Sequence, residues 1–275
     1  MTIPDLTCLA PAMRDAGAAI MQIKSAGVTA DYKADASPVT AADHASEAIL
    51  KAALEQLFPN IAVISEENAD SHLLHPQDRY FLVDPLDGTR EFLRPDSNGN
   101  FTVNIGLIEK GAVCGGLIYV PSMDWLCWTD TDGRAMQDKA GVQSRLQIRP
   151  VPEQGAAALA SRSHRDPMTN DFLKAEAISD IVSAGSSLKF LLLAAGEADI
   201  YPRFGPTMEW DTAAGEAILR AAGGTVYAPD GQPHRYGKPG WKNGAFIACA
   251  AYQPQFPFSA LQWWLPERSS ELCIL

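Results

Sequence analysis

The chain is organised around one stretch, Val83-Asp84-Pro85-Leu86-Asp87-Gly88-Thr89-Arg90-Glu91-Phe92. The apolar residues 80–83 predict a short buried strand. Because Pro85 cannot donate a backbone hydrogen bond, we expect this strand to end, or to leave its sheet, at Asp84 and Pro85. Asp84 and Asp87, three residues apart, would then lie on a tight turn that Gly88 allows to bend. An ordinary surface turn explains these residue types equally well, so the stretch needs support from elsewhere in the chain.

Further acidic residues also follow apolar segments or open a helix. Glu66 comes two residues after the apolar run 61–64, and Asp211 lies at the start of a predicted helix. If the fold brings them together with Asp84 and Asp87, their mutual repulsion must be offset. Hard divalent cations with oxygen ligands do this, and two Mg²⁺ ions about 3.5–4 Å apart are a known arrangement for phosphoryl hydrolysis. A metal-dependent phosphatase is one hypothesis that this pattern allows, but spacing alone does not establish that the carboxylates meet.

Length and composition limit the class of protein. The 275 residues can bury a large core, and 47% hydrophobic with 20% charged residues is typical of a globular protein. The formal net charge of -11 argues against a nucleic-acid polymer as partner, because binding a phosphate backbone needs clustered cations. A small phosphorylated substrate stays open, since bound metal ions reverse the local charge. The five cysteines include no Cys-x-x-Cys pair, which favours reduced thiols.

The first 60 residues predict two amphipathic helices. Apolar residues recur at three- and four-residue steps from Leu6 to Ile23, and the first helix ends near Gly27. The second helix opens at Ala41 and places Asp43 in its first turn. A carboxylate there complements the helix dipole by roughly 0.3–1 kcal/mol. From position alone, this structural role is favoured for Asp43 over a catalytic one.

The two halves of the chain differ in pattern. Residues 1–150 predict helices with a mostly antiparallel sheet, including a hairpin of strands at 101–109 and 113–120. From Ala156 onward, short apolar runs alternate with helical segments, which indicates an α/β lobe. We therefore predict an N-terminal α+β lobe, residues 1–150, that carries the main metal-site motifs, and a C-terminal α/β lobe, residues 151–275.

Two motifs resemble the paired signatures of the inositol monophosphatase superfamily, a group of Mg²⁺-dependent, lithium-sensitive phosphatases. These motifs are Asp84-Pro85-Leu86-Asp87-Gly88-Thr89 and Trp210-Asp211-Thr212-Ala213-Ala214-Gly215. Further stretches are similar to the branch of bacterial 3'(2'),5'-bisphosphate nucleotidases: residues 37–40, 64–67, 91–92, 101–105, 161–164, 185–189 and 201–207. The resemblance covers nearly the whole chain. It implies a layered αβαβα sandwich of the inositol monophosphatase and sugar phosphatase type, with α+β and α/β parts.

The resemblance also implies roles for individual residues. The metal ligands, for two or three Mg²⁺ ions per site, would be the carboxylates of Glu66, Asp84, Asp87 and Asp211 and the carbonyl of Leu86. Glu66, Asp43 and Thr89 would serve catalysis by orienting and holding the attacking water, so that Asp43 would act at the helix and in the site together. The substrate-binding residues would be Glu66, Leu86, Asp87, Gly88, Thr89, Ser163, His164, Ser186, Lys189 and Asp211.

Alternatives stay open for three of these residues. A nucleophilic pair of Ser163 and His164 would compete with direct in-line attack by water, but adjacent side chains rarely face each other and no acidic third member is evident. His164 would contact the nucleotide or simply lie at a strand end. Lys189 would contact a second phosphate or be a solvated helix residue.

The function that the resemblance implies is hydrolysis of the 3'-phosphate of adenosine 3',5'-bisphosphate to AMP and phosphate, which recycles a by-product of sulfate assimilation. One alternative is an inositol or sugar monophosphatase of the same superfamily. Another, from a different class, is a non-catalytic metal- or phosphate-binding protein. The expected partner is a small phosphorylated nucleotide, bound by a monomer or a homodimer.

We expect a cytoplasmic protein. The chain does not begin with a basic region and an unbroken apolar segment, and it contains no run of about 20 apolar residues that could span a membrane. Peripheral contact with the inner face of the cell membrane stays open, and only the apolar tail after about Phe256 favours it.

Overall fold

The computed structural model describes residues 3–32, 38–75, 78–94, 99–160, 166–228 and 231–254. Within these ranges the helices are α1 (Ala10–Ala26), α2 (Ala41–Leu57), α3 (Thr89–Leu93), α4 (Pro167–Ala175), α5 (Leu188–Ala194) and α6 (Trp210–Ala221). Short 3₁₀ helices cover Leu6–Leu9, Ala69–Leu73, Pro121–Met123 and Pro239–Trp241.

Sixteen strands lie in the same ranges. In the first half they are β1 (Ala30–Tyr32), β2 (Pro38–Thr40), β3 (Ala62–Ser65), β4 (Arg79–Asp87), β5 (Thr102–Glu109), β6 (Ala112–Val120), β7 (Trp125–Thr129), β8 (Ala135–Lys139) and β9 (Val142–Arg145). In the second half they are β10 (Ala157–Ala160), β11 (Asp180–Ser183), β12 (Ile200–Arg203), β13 (Thr207–Met208), β14 (Thr225–Tyr227), β15 (Lys242–Asn243) and β16 (Phe246–Cys249).

Two sheets form the body of the fold. The seven-stranded sheet follows chain order from β3 to β9, and all of its neighbours are antiparallel except β3 and β4. The five-stranded sheet has the order β11-β10-β12-β16-β14, with β10 parallel to both β11 and β12. In this sheet β16 runs antiparallel to β12 and β14. Small two-stranded pairs join β1 to β2 and β13 to β15.

The helices and sheets stack in five layers. The buried faces of α1 and α2, with Met13, Ile20 and Leu50, pack on one face of the seven-stranded sheet. The central helices α5 and α6 lie between the two sheets, where Phe190 and Ile218 belong to one apolar core. The short helix α4 covers the outer face of the five-stranded sheet through a separate core. The predicted αβαβα sandwich is confirmed.

The prediction that the strand ends at Asp84 and Pro85 is wrong. The strand does not end at Asp84 and Pro85 but continues to Asp87, and its ladder with β5 shifts register between Asp84 and Asp87. Residues 84–87 therefore oppose the shorter segment 102–104, as in a β-bulge. The missing N–H of Pro85 falls inside this irregularity, and its carbonyl accepts a hydrogen bond from the Ser46 hydroxyl at 2.7 Å. The bulge explains how a proline lies within a central strand.

Other sequence expectations differ only in detail. The exposed strand β9 was not expected, because none of its side chains is buried. The two sheets lie on either side of residue 150, but α6 packs on the first sheet, and the division into two lobes stays a prediction. The four described cysteines, Cys8, Cys114, Cys127 and Cys249, carry free thiols. Among the described helices, none has both the length and the hydropathy that crossing a bilayer requires.

Glycines on β5 and β6 let α6 approach the seven-stranded sheet closely. A Cβ atom at Gly106 would lie 2.5 Å from the Cβ of Ala213 and 2.9 Å from the backbone nitrogen of Ala214. A Cβ atom at Gly116 would lie 2.7 Å from the carbonyl oxygen of Ala214. Real Cβ atoms are not found at such distances from backbone, so the helix would have to move outward.

We predict that Gly106→Ala destabilises the protein by about 1–3 kcal/mol, the usual effect of overpacking a well-packed interior. Urea unfolding measures the loss. The matched control is Gly244→Ala, because Gly244 is exposed and a Cβ atom there would have no neighbour within 4 Å. Equal stability of the two variants would show that α6 does not depend on the glycine contact.

Candidate active site

Three acidic side chains converge where β3, β4 and α6 meet. Glu66, Asp84 and Asp211 each offer one carboxylate oxygen, and these oxygens all lie within 4.8 Å of one another. Because β3 and β4 pair in parallel with Ser65 opposite Val83, the next residues, Glu66 and Asp84, lie side by side. The backbone N–H of Glu66 donates to the Val83 carbonyl at 3.1 Å and extends this pairing. Asp211 reaches the same point because it is the second residue of α6, which packs on β4 and β5.

Asp87 lines the neighbouring cavity but is held apart from this cluster. Its Oδ2 accepts hydrogen bonds from the backbone N–H of Ser187 at 2.6 Å and from the Ser187 hydroxyl at 2.7 Å. The carbonyl of Leu86 accepts a hydrogen bond from the Thr89 hydroxyl at 3.3 Å. Among the described residues, three of the four predicted carboxylates meet at one point, and the metal-binding roles of Asp87 and Leu86 stay predictions.

The clustered carboxylates are unfavourable neighbours without a cation. Burial raises the pKa of Asp84 well above its ordinary value, and the negative charges of Glu66, Asp87 and Asp211 raise it further. Burial also raises the pKa of Asp211 well above its ordinary value, with Asp87 and Glu66 adding to the effect. A set of carboxylate oxygens alone is the kind of donor set that Mg²⁺ prefers. The residues therefore fit a divalent cation, whose charge would offset their repulsion.

Asp43 and Thr89 form a second polar group at the start of α2. The Oδ2 atom of Asp43 accepts from the backbone N–H and from the hydroxyl of Thr40, both at 2.7 Å, which closes a capping box. Its Oδ1 atom accepts from the Thr89 hydroxyl at 3.2 Å. Burial raises the pKa of Asp43, and the hydrogen bonds from Thr40 and Thr89 oppose that rise. Asp43 therefore has a structural role at the start of α2, as its position suggested. Only Oδ2 serves this role, and Oδ1 contacts Thr89.

A cavity of about 210 Å³ opens beside the carboxylates. The residues around it include acidic ones, among them Glu66, Asp87 and Asp211, and three cations, Arg90, Lys189 and Arg203. Opposite charges at one cavity suit a ligand that needs both metal ions and direct cationic contacts, as a molecule with two phosphates would.

The hypothesis that Lys189 is a solvated helix residue is wrong. Its side chain is buried, with 4% exposure, because α5 lies between the two sheets. The ammonium donates to the carbonyl of Ser186 at 2.7 Å and lies 4.9 Å from the centre of the Tyr201 ring. Burial lowers the pKa of Lys189 to about 8, although the neighbouring carboxylate of Asp87 opposes the change. A buried cation at the cavity is consistent with a role in binding an anion.

The remaining predicted substrate residues are placed as follows. Gly88 and Ser186 line the cavity and both have positive φ, at 94° and 46°. In the case of Gly88 an added Cβ atom would also come within 3.1 Å of the Asn100 carbonyl oxygen, so glycine is required. Ser163 and His164 lie in residues 161–165, outside the described residues, and their roles stay predictions.

Several residues near the site received no role from the sequence, among them Arg203, Ser187 and Asn104. Arg203 lines the cavity, and Ser187 and Asn104 contact Asp87 directly. Each belongs to a stretch that carries the resemblance, namely 201–207, 185–189 and 101–105. That resemblance was the only signal for them, because a serine, an asparagine and an arginine at these positions also fit ordinary loop or strand residues.

The geometry agrees with comparison to known proteins. A model of the inositol monophosphatase family matches residues 4–256, and the chain belongs to this family. Family membership confirms the predicted class of enzyme, a phosphatase.

Relatives of known name include several that share one name. The 3'(2'),5'-bisphosphate nucleotidase CysQ of Escherichia coli O157:H7 is 43% identical over 226 residues, which cover 81% of this chain and 90% of that protein. The protein of the same name from Buchnera aphidicola is 41% identical over 216 residues, 78% of this chain and 80% of that protein. The crystal structure of CysQ from Bacteroides thetaiotaomicron superposes with a TM-score of 0.75 at 34% identity, covering 90% of this chain and 97% of that one.

The raised pKa of Asp84 predicts how the metal-free protein depends on pH. The folded protein keeps the Asp84 proton at a pH where the unfolded chain has already lost it. The resulting stabilisation is present below the ordinary carboxyl pKa of about 4 and is lost as the pH rises through the raised pKa. Ionisation of Asp84 in the folded protein is therefore destabilising.

We expect Asp84→Asn to raise the thermal midpoint of the metal-free protein at pH 7, by about 2–4 °C for each kcal/mol of repulsion removed. The gain should shrink as the pH falls towards 4. Differential scanning calorimetry in the presence of a chelator measures both effects. Asp171→Asn, at an exposed position on α4, is the control and should change neither. A lower midpoint for Asp84→Asn at pH 7 would contradict the idea that repulsion dominates at this position.

Proposed function

We propose that this protein hydrolyses the 3'-phosphate of adenosine 3',5'-bisphosphate to AMP and phosphate, with Mg²⁺ as cofactor. The observation that carries the proposal is the cavity with a carboxylate cluster and three cations, Arg90, Lys189 and Arg203, around it. One phosphate would be cleaved beside the carboxylates while the cations bind the other. The 43% identical relative is named for this class of substrate, which supports the choice of a nucleotide. In the cell, this activity would recycle a by-product of sulfate assimilation.

Two or three Mg²⁺ ions per site would be held by the carboxylates of Glu66, Asp84, Asp87 and Asp211 and by the carbonyl of Leu86. Bound Mg²⁺ would supply Lewis-acid chemistry, polarising phosphoryl oxygens and lowering the pKa of water. The clustered oxygens of Glu66, Asp84 and Asp211 are the donors that fit this role best, because their own repulsion calls for a cation.

The protein's own residues would then act on the attacking water. The one proton of the Thr89 hydroxyl can go to Asp43 Oδ1 or to the Leu86 carbonyl. When it goes to Asp43, the lone pairs of Thr89 Oγ1 can accept a hydrogen bond from that water. The proton can pass through Thr89 Oγ1 to Asp43 Oδ1, whose pKa is raised by burial and which is therefore a better base. Glu66 would orient the same water. The water oxygen bonds to phosphorus as the bond to the 3' oxygen breaks, so no covalent phosphoenzyme is needed.

The proposed activity is tested by comparing two phosphorylated substrates with purified protein and Mg²⁺. We expect adenosine 3',5'-bisphosphate to be hydrolysed with a kcat/KM at least tenfold above that for inositol 1-phosphate, since only the bisphosphate can reach both the carboxylates and the cations. Released phosphate measures both reactions, and Asp87→Asn, which should abolish turnover, shows that the signal belongs to this site. Faster cleavage of inositol phosphate would instead favour the inositol or sugar monophosphatase of the same family.

The second prediction isolates the contact with the second phosphate. Lys189→Met should raise KM for adenosine 3',5'-bisphosphate by about 10–100-fold, the usual effect of losing a hydrogen bond to a charged group. It should leave KM for adenosine 3'-monophosphate nearly unchanged, because that substrate lacks the second phosphate. Lys174→Met, at an exposed position on α4, is the matched control. Equal losses on both substrates would mean that Lys189 supports the fold and does not read the second phosphate.

A further inference from the structure

The position of Asp87 depends on one serine. Ser187 donates its backbone N–H and its hydroxyl to the same oxygen, Asp87 Oδ2, at 2.6 and 2.7 Å. Ser187 is buried, with 2% exposure, whereas Asp87 is half-buried and lines the cavity. Since both hydrogen bonds fall on Oδ2, Oδ1 is the oxygen of Asp87 that is left for another partner.

The Ser187 hydroxyl does not cap the helix that it precedes. Ser187 is the N-cap residue of α5, where a serine side chain normally accepts a hydrogen bond from the backbone of the helix it begins. No such bond is formed here. The hydroxyl faces away from its own helix and towards Asp87, so capping does not explain why a serine occupies this position.

The same hydroxyl also reaches the element that carries Asp211. Its oxygen lies 2.7 Å from the carbonyl oxygen of Asp211, in the first turn of α6. A hydroxyl has one proton, so it donates to the carboxylate of Asp87 or to this carbonyl, and either choice keeps Ser187 between β4 and α6. The distance between the two acidic residues is thereby fixed through a third element, α5.

Asn104 on β5 completes the contact. Its amide nitrogen lies 3.0 Å from the Ser187 hydroxyl oxygen and 3.4 Å from Asp87 Oδ2, so it can donate to both. The amide oxygen of Asn104 is buried and has no hydrogen-bond partner among the residues that the structure describes. The reverse amide orientation would bring that oxygen against the carboxylate, so the negative charge of Asp87 explains the observed orientation at the cost of an unpaired oxygen.

We propose that Ser187, supported by Asn104, is a positioning residue that holds Oδ2 of Asp87, presents Oδ1 to a divalent metal ion, and fixes the spacing between Asp87 and Asp211. This inference rests on the proposed function, because it takes Asp87 as a metal ligand. Ser187 itself touches neither the metal nor the substrate.

The experiment measures metal binding by the full-length protein, without turnover. Mn²⁺ replaces Mg²⁺ as the probe, since carboxylate sites bind both, and electron paramagnetic resonance reports free Mn²⁺ during titration. We expect Ser187→Ala to weaken the affinity of one class of sites about tenfold, as is common when a residue that orients a metal ligand is lost. Ser187→Thr keeps a hydroxyl and should restore most of the affinity. Ser183→Ala, at an exposed serine four residues earlier, should bind as the unaltered protein does.

A double-mutant cycle separates positioning from general support of the fold. If Ser187 acts through Asp87, Ser187→Ala should cause no further loss of Mn²⁺ affinity in a protein that already carries Asp87→Asn. A further loss in the double variant would overturn the inference, because it would show that Ser187 acts by another route. Thermal unfolding of each metal-free variant identifies any loss that comes from a damaged fold.

The remaining outcomes distinguish this inference from the proposed function. Weaker Mn²⁺ binding by Asp87→Asn with normal binding by Ser187→Ala would overturn the positioning role and leave the proposed function intact. Normal binding by Asp87→Asn would remove Asp87 from the metal site, which would overturn the positioning role and that part of the proposed function together.

Discussion

Repulsion between carboxylates is the interaction that the rest of the structure has to overcome. Glu66, Asp84 and Asp211 hold their oxygens within 4.8 Å of one another, and burial deprives Asp84 of the water that would screen its charge. Each comes from a different element, so the chain brings them together only when β3, β4 and α6 are all in place. The apolar layers on both sides of the seven-stranded sheet must supply the stabilisation that outweighs this local cost.

Backbone pairing and small residues, which take no part in catalysis themselves, decide whether the carboxylate cluster forms. The parallel pairing of β3 and β4 sets Glu66 beside Asp84, and this needs only backbone hydrogen bonds. Asp211 depends instead on how close the backbone of α6 can come to the sheet, and Gly106 and Gly116 provide that space. Function therefore depends on packing several residues away from the carboxylates, where a single methyl group would push the helix outward.

The sequence predicted the chemistry of the site better than its local geometry. Acidic residues at the ends of apolar runs, together with the resemblance, led to Glu66, Asp84 and Asp211. The bulge at Pro85 could not be predicted, because proline in a turn and proline in an irregular strand have the same local sequence signature. The burial of Lys189 could not be predicted either. It arises because α5 lies between two sheets, whose strands come from distant parts of the sequence.

At Asp43 and at Asp87, the two oxygens of one carboxylate have different surroundings. At Asp43, one oxygen closes the helix cap with Thr40 and the other meets Thr89. At Asp87, one oxygen is fixed by Ser187, which leaves the other. A carboxylate with one oxygen anchored loses most of its rotational freedom during folding, so that loss need not recur each time a ligand binds. A structural role and the proposed role in catalysis would then use different oxygens of one side chain, and evidence for the first does not argue against the second.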